Sequence, residues 1–231
     1  HRDLHSFPTR RSSDLKAMQE YWTLTPFEFI DNEEFDSRKG KAEYSFLMLT
    51  ETVFDKDKSG SAFNFLNLIQ GKNVRKISDM PEICAIPLSS ADGDDLDYGY
   101  KMGAILLFMQ KHAALITEDP SKTGRRYLRF YNENIPQVMG KKILVRQEDL
   151  SPAVGDIDKI RAIYSGNVEI VTEEDIVKAI GAKAAGTVVL HKVGPSGEAD
   201  EGYCFKMLIG TDDANMYYYN SHIIEIGRAH V

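Results

Sequence analysis

The chain has 231 residues, of which 42% are hydrophobic, and its formal net charge at pH 7 is −7. That length is sufficient to bury a sizeable core in one domain or in two small ones. The acidic balance argues against binding to nucleic acid or to an anionic membrane surface, because both require concentrated positive charge. No apolar run in the sequence reaches the roughly 20 residues of a membrane-spanning helix.

The two ends of the chain read as translated sequencing adapters. The opening HRDLHSFPTRRSSDL back-translates into the forward adapter of short-read DNA sequencing, and the closing IGRAHV into the start of the reverse adapter. Asp3 lies in a His-Arg-Asp-Leu motif like that of kinases, but no phosphate-binding loop precedes it, so we assign it no function. We therefore treat residues 1–15 and 225–231 as non-native tails. They contain four arginines and three carboxylates, so the net charge of residues 16–224 is −8.

Residues 16–97 predict a first α/β sub-domain. Residues 21–30 (YWTLT-PFEFI) read as a strand, a threonine cap and a short acidic helix. Residues 42–50 and 63–70 are rich in apolar and aromatic side chains and predict two more strands, joined by a polar loop that contains glycine.

Residues 98–139 predict a helical connector. Residues 98–116 (YGYKMGAILLFMQKHAALI) have the apolar composition of a buried helix. Residues 123–139 predict a second helix that is disturbed before Pro136, because proline cannot donate a helical hydrogen bond. Either helix is expected to cover one face of a sheet.

Residues 140–224 predict a second sub-domain with the order β-α-β-α-β-β-β. Strands at residues 141–145, 167–171 and 187–193 alternate with a helix that starts near Ser151 and a helix capped by Thr172. Two further strands follow a loop rich in glycine. This order predicts a parallel βαβ core that is extended by antiparallel strands.

The two sub-domains also resemble each other. FNFLNLIQ can be aligned on YCFKMLIG, which matches Phe65 with Phe205 and Leu68 with Leu208. An internal duplication and a chance similarity between apolar strands are both open, because such strands resemble each other easily. We predict an α/β fold with a mixed β-sheet, covering helices and two related βαβ-plus-hairpin sub-domains.

Two acidic segments are candidate sites for hard cations. DKDKSGSAFNFL begins like an EF-hand calcium loop, with Asp55, Asp57 and Gly60 in place, but its twelfth residue is Leu66 instead of the required Glu. The same residues suit a surface hairpin loop, which we favour. Residues 92–97 (DGDDLD) carry four carboxylates, although such acidic runs usually form solvated loops.

His191 and His222 are the candidates for an enzymatic site. Both lie in predicted strands, and together with Asp212 or Asp213 they could form a zinc or acid–base site. Their spacing does not require this, and a structural role is the simpler interpretation. The chain lacks the HExxH, CxxC and GxSxG motifs and the glycine-rich phosphate loops, so we assign no catalytic residue, cofactor or metal ligand.

Several other side chains allow two interpretations. Cys84 and Cys204 lie in apolar runs that predict buried thiols, and a disulfide between them is an open alternative. Residues 124–131 alternate arginines with aromatics, which could hold an anion, but we favour a packed helix. In MYYYN we expect Tyr217 and Tyr219 on one strand face, packed under helices rather than forming an exposed interaction strip.

On these grounds we expect a soluble, non-enzymatic binding or interaction module with a protein or small-molecule partner. We expect it to be a fragment of a longer bacterial protein of the kind recovered by metagenomic sequencing, with the cell envelope as one setting. The alternative is a metal-dependent or hydrolytic enzyme that uses His191, His222 and nearby carboxylates. The enzyme hypothesis requires both imidazoles and a carboxylate in one cleft, whereas imidazoles on opposite faces of a sheet would remove it.

Overall fold

The structure is a computed structural model that describes residues 11–55, 57, 59–91, 98–122, 127–194 and 201–225. It contains a three-stranded antiparallel sheet, a five-stranded mixed sheet and covering helices, which confirms the predicted α/β class. The α-helices are α1 (Arg11–Tyr21), α2 (Asn32–Arg38), α3 (Met102–Glu118), α4 (Ile157–Ile163) and α5 (Glu173–Gly181). The strands are β1 (Ser45–Val53), β2 (Ala62–Gln70), β3 (Glu82–Ser90), β4 (Lys142–Val145), β5 (Asn167–Ile170), β6 (Thr187–Val193), β7 (Glu201–Gly210) and β8 (Met216–Glu225).

The five-stranded sheet has the strand order β5-β4-β6-β7-β8. β4 pairs in parallel with both β5 and β6, whereas β6, β7 and β8 are antiparallel. The elements from β4 to β8 follow each other in the order β-α-β-α-β-β-β, but α4 starts at Ile157, after its cap Asp156, and not near Ser151. Thr172 caps α5 as expected, because its side chain accepts the Asp175 N–H while the Asp175 carboxylate accepts the Thr172 N–H.

The first half differs from its prediction. Residues 22–31 form neither a strand nor a helix; α1 ends at Tyr21, and α2 begins only after Asp31. The Gln110 side-chain oxygen accepts the backbone N–H groups of Thr23 and Leu24 at 2.6 and 2.8 Å, so α3 satisfies donors that a strand would have used. In addition, α1 includes the last five residues of the predicted N-terminal tail.

The three-stranded sheet has the simple order β1-β2-β3. β1 and β2 were predicted, but β3 was not. The duplication stays a prediction; its proposed equivalents Phe65 and Phe205 are in contact, with ring centroids 5.7 Å apart. They belong to an aromatic layer between the two sheets that includes Phe54, Phe63 and Tyr203. The two sheets and α3 thus share one hydrophobic core.

The connector contains α3 and the 3₁₀ helix Tyr127–Gly140, which we call the connector 3₁₀ helix. The second of these was predicted as an ordinary helix disturbed before Pro136, and Pro136 lies inside it. It covers the edge of β8, where Asn132 donates to Tyr219 O and accepts the Tyr219 N–H at 3.0 and 2.7 Å. Within the described residues, no helix has both the length and the apolarity to cross a membrane.

Candidate functional site

A cluster of buried polar side chains lies at the carboxyl end of the parallel strands. Arg146 directly follows β4, and Glu173 opens α5 just after β5. β4 and β6 are neighbours, but the chain leaves β4 towards β5 and leaves β6 towards β7, on the opposite side. Open α/β sheets bind ligands outside the carboxyl ends of their parallel strands. We call Tyr100, Lys101, Arg146, Asp149 and His191 the Lys101 cluster.

Lys101 is the central residue of this cluster. It ends a single 3₁₀ turn before α3 and is only 1% exposed. Its Nζ lies 3.6 Å from Asp149 Oδ2 and donates to Leu190 O at 3.4 Å. The parallel pairing of β4 with β6 ends at Val189, so the Lys101 ammonium lies just beyond the paired part of β6.

Arg146 holds the loop after β4 against α5. It forms ion pairs with Glu173 and, at 3.4 Å, with Asp149, and its guanidinium carbon lies 4.8 Å from the centre of the Tyr100 ring. Burial alone would lower the pKa of Arg146, but the hydrogen bond and charge of Asp149 raise it overall. Arg146 therefore remains a cation, whereas a lysine at this position could not span both carboxylates in the same way.

His191 is buried between the two sheets. Its Nε2 lies 2.7 Å from Pro87 O, and because a carbonyl can only accept, we assign the imidazole proton to Nε2. Burial, followed by the nearby Lys101 ammonium, lowers the pKa of His191 to about 3. At neutral pH this imidazole is uncharged, and its Nδ1 is a hydrogen-bond acceptor.

Three buried atoms of the cluster have no hydrogen-bond partner among the described residues: Arg146 Nε, Asp149 Oδ2 and His191 Nδ1. The great majority of buried polar atoms in folded proteins are hydrogen-bonded, because leaving one unpaired costs about 1–3 kcal/mol. Three such atoms in one buried cluster make this end of the sheet the candidate site for a polar partner.

The charges around the cluster favour an anion over a metal. Lys192 Nζ donates to Asp149 O at 2.9 Å, so Lys101, Arg146 and Lys192 supply three cations against the two carboxylates of Asp149 and Glu173. Within the described part of the chain, no three histidine, cysteine, aspartate or glutamate side chains are placed to hold a metal ion.

The structure does not bring together the predicted pair His191 and His222. His191 pairs across the sheet with Met207, and Met207 pairs with Tyr219. His222 is three residues beyond Tyr219, and because successive side chains alternate, it points to the opposite face. The site expected from these two histidines is therefore not formed.

Asp213, the predicted acidic partner of those histidines, belongs to the turn between β7 and β8. It accepts hydrogen bonds from the Tyr217 hydroxyl and from the Asn215 N–H, and it lies 3.4 Å from Lys141 Nζ. Burial acts to raise the pKa of Asp213, but the Tyr217 hydrogen bond and the remaining contacts lower it overall. Asp212 accepts the Gly186 N–H at 2.8 Å, so both carboxylates stabilise turns.

The calcium-like loop is a hairpin loop between β1 and β2, as favoured from the sequence. Asp57 Oδ1 accepts hydrogen bonds from the Ser59 N–H and hydroxyl at 3.0 and 2.6 Å, and Asp57 Oδ2 accepts the Tyr203 N–H at 3.3 Å. Gly60 has a φ of 69°, which glycine adopts readily at a turn. The second acidic candidate, residues 92–97, lies outside the described residues.

The tyrosine prediction needs correction. A register irregularity near Tyr217 makes it pack in a separate core cluster with Leu208, whereas Tyr219 packs against the main core. The two side chains therefore do not share a face, because a bulge shifts the alternation by one residue. Tyr217 is only 1% exposed and therefore does not belong to a solvent-facing strip of tyrosines.

The remaining candidates have structural environments. Cys84 and Cys204 are both buried free thiols, so the disulfide alternative is not realised. In the arginine-rich segment, Arg129 donates to Ser221 O at 3.5 Å, and the Tyr131 hydroxyl lies 2.9 Å from His112 Nδ1. Residues 123–126 of this segment lie outside the described residues.

The chain matches no protein-family model, no curated protein and no solved structure closely enough to establish a relationship. The Lys101 cluster is therefore the main guide to function. It was missed from the sequence, where its only local signals are a lysine at the start of an apolar helix and an Arg-x-x-Asp directly after a strand.

Proposed function

We propose that the chain is a binding module that holds a small polar anion at the carboxyl end of β4. The observation that carries this proposal is that Arg146 Nε, Asp149 Oδ2 and His191 Nδ1, three buried atoms of the Lys101 cluster, have no described hydrogen-bond partner. Sheet topology supports the same place, because open α/β sheets bind ligands outside the carboxyl ends of their parallel strands.

The chemistry of these three atoms, which lack a described hydrogen-bond partner, defines the ligand class. Arg146 Nε is a donor and, with the nearby Lys192 ammonium, suits a carboxylate. Asp149 Oδ2 and the unprotonated His191 Nδ1 are acceptors, so they suit a hydroxyl or an ammonium group on the same ligand. Small hydroxy acids and amino acids combine these groups.

Binding is a better description of the cluster than catalysis. An imidazole with a pKa of about 3 is a weak base at neutral pH, and efficient general bases have a pKa near the working pH. The alternative enzyme hypothesis depended on His191 and His222, whose side chains point to opposite faces of the sheet.

Three matched dicarboxylates test the proposal: malate carries a hydroxyl, aspartate an ammonium, and succinate neither. Calorimetric titration of the full chain should give tighter binding of malate or aspartate than of succinate. Arg146→Lys should weaken that binding about tenfold or more, which corresponds to about 1.4 kcal/mol. Arg161→Lys is the matched control, because Arg161 is exposed on α4.

The proposal fails if none of the three acids binds the wild-type chain. It also fails if Arg146→Lys and Arg161→Lys bind malate equally well while both variants keep the wild-type circular dichroism spectrum.

A further inference from the structure

The described strands leave four sheet edges, and three of them are protected. β5 has only four residues, and β3 contains Pro87 and two register irregularities in its pairing with β2. The edge of β8 is covered by Asn132 and Asn134, whose side chains bond to its backbone. Short strands, proline, irregular pairing and covering segments all prevent the association of exposed edges.

Within the part of the chain that the structure describes, the fourth edge, β1, has none of these features. Its nine residues pair with β2 in one unbroken register, and its sequence SFLMLTETV contains no proline, glycine or lysine. Among the described residues, its backbone hydrogen-bonds to β2 alone. Leu47, Met48 and Leu49 are only partly buried, and Val53 is 44% exposed.

We infer that β1 pairs with the β1 strand of a second copy of this chain, which joins the two three-stranded sheets into one six-stranded antiparallel sheet. The two strands would be related by a twofold axis perpendicular to the sheet, so that either Met48 or Leu49 lies opposite its own copy. In both registers, side chains that lie opposite each other point to the same face of the joined sheet. The inference is independent of the proposed ligand site.

The charge on β1 is compatible with this occupant. Glu51 is its one charged residue, and it would lie opposite Ser45 when the pair is centred on Met48, or opposite Leu47 when it is centred on Leu49. No like charges therefore meet within the paired strands in either register, and like charges directly opposite each other are what destabilises such pairs.

The size of the contact predicts a reversible dimer. At most nine paired residues, in the register centred on Leu49, extend over roughly 30 Å, and one pair of strands covers less than the about 1,200 Å² of a stable protein interface. The dimer should therefore form and dissociate with protein concentration. In sedimentation velocity, the weight-average mass should rise from the monomer value towards twice that value as the concentration increases.

Single cysteines test the geometry. In the two allowed registers, Leu49→Cys or Met48→Cys faces its own copy across the axis, at the α-carbon spacing that a disulfide accepts. Ser45→Cys is the matched control on the same strand, because its two copies would be offset by ~20 Å or more. The wild-type chain, which carries the buried thiols of Cys84 and Cys204, shows how much covalent dimer forms without an introduced cysteine.

Under oxidation with copper phenanthroline, we expect Leu49→Cys or Met48→Cys to form covalent dimers about tenfold faster than Ser45→Cys. Labelling by a maleimide dye checks that each introduced thiol reacts in the reduced chain. Equal dimer yields from the three variants, or a wild-type mass that does not change with concentration, would overturn the inference.

Discussion

Two buried histidines should make the protein less stable in mildly acidic solution. Burial is the main cause that lowers the pKa of His191 to about 3 and that of His112 to about 4, from an ordinary value of 6.5. The unfolded chain binds protons at these positions below about pH 6.5, whereas the native chain does not. The full stability is therefore present above that pH and decreases as the pH falls below it.

The magnitude follows from the two pKa values. At about pH 5, each imidazole is almost fully protonated in the unfolded chain and neutral in the native chain. Since pH 5 lies ~1.5 units below the ordinary pKa of histidine, each histidine lowers the free energy of unfolding by about 2 kcal/mol. The two together should remove about 4 kcal/mol, a large share of the roughly 5–15 kcal/mol typical of a domain. The pKa of Asp213 is lowered from 3.8, so its contribution is lost only in stronger acid.

Urea unfolding at about pH 7.5 and about pH 5 measures this loss. His191→Gln preserves a side-chain donor for Pro87 O but cannot be protonated, so its free energy of unfolding should fall by about half as much as that of wild type. His112→Gln should behave in the same way, and the double variant should show little dependence on pH in this range. If His191→Gln loses as much stability as wild type, the assignment of a buried neutral imidazole at this position is wrong.

Three further variants test the packing around the site. Lys101→Met should lower the free energy of unfolding by about 3 kcal/mol in urea titrations, because it removes a buried counterion of Asp149; Asp149→Asn in the same chain should recover part of that loss. Thr172→Ala should cost about 1 kcal/mol through loss of the capping box, whereas Thr172→Ser should cost little. Asn132→Ala should speed hydrogen exchange of the Tyr219 amide, because it removes the acceptor of that N–H. An unchanged free energy of unfolding in Lys101→Met or Thr172→Ala, or an unchanged exchange rate in Asn132→Ala, would contradict the corresponding contact.

The second half of the chain could be predicted because its signals are local. Thr172 and Asp175 form a cap within four residues, and β4, β5 and β6 are short β-rich runs separated by capped helices. The first half depends on distant contacts instead. Residues 22–31 look like a strand and a helix, but their backbone donors are satisfied by Gln110, more than 80 positions away.

Two smaller errors have similar causes. β3 was not predicted, and it contains Pro87, which is tolerated because the strand lies at a sheet edge. Tyr217 was placed on the wrong face because a bulge cannot be recognised from the alternation of MYYYN. The Lys101 cluster could not be predicted at all, since Lys101 and Asp149 lie far apart in the sequence and meet only in the folded chain.

A purely structural role explains the Lys101 cluster poorly. Joining the halves of the molecule does not require it, because the aromatic layer around Phe205 already packs the two sheets together. A buried ion pair usually stabilises a fold no better than apolar side chains of the same volume, and buried atoms of the cluster without a described hydrogen-bond partner add a further cost. A ligand that hydrogen-bonds to those atoms would offset this cost in the bound state. The cluster is therefore better explained by binding than by folding.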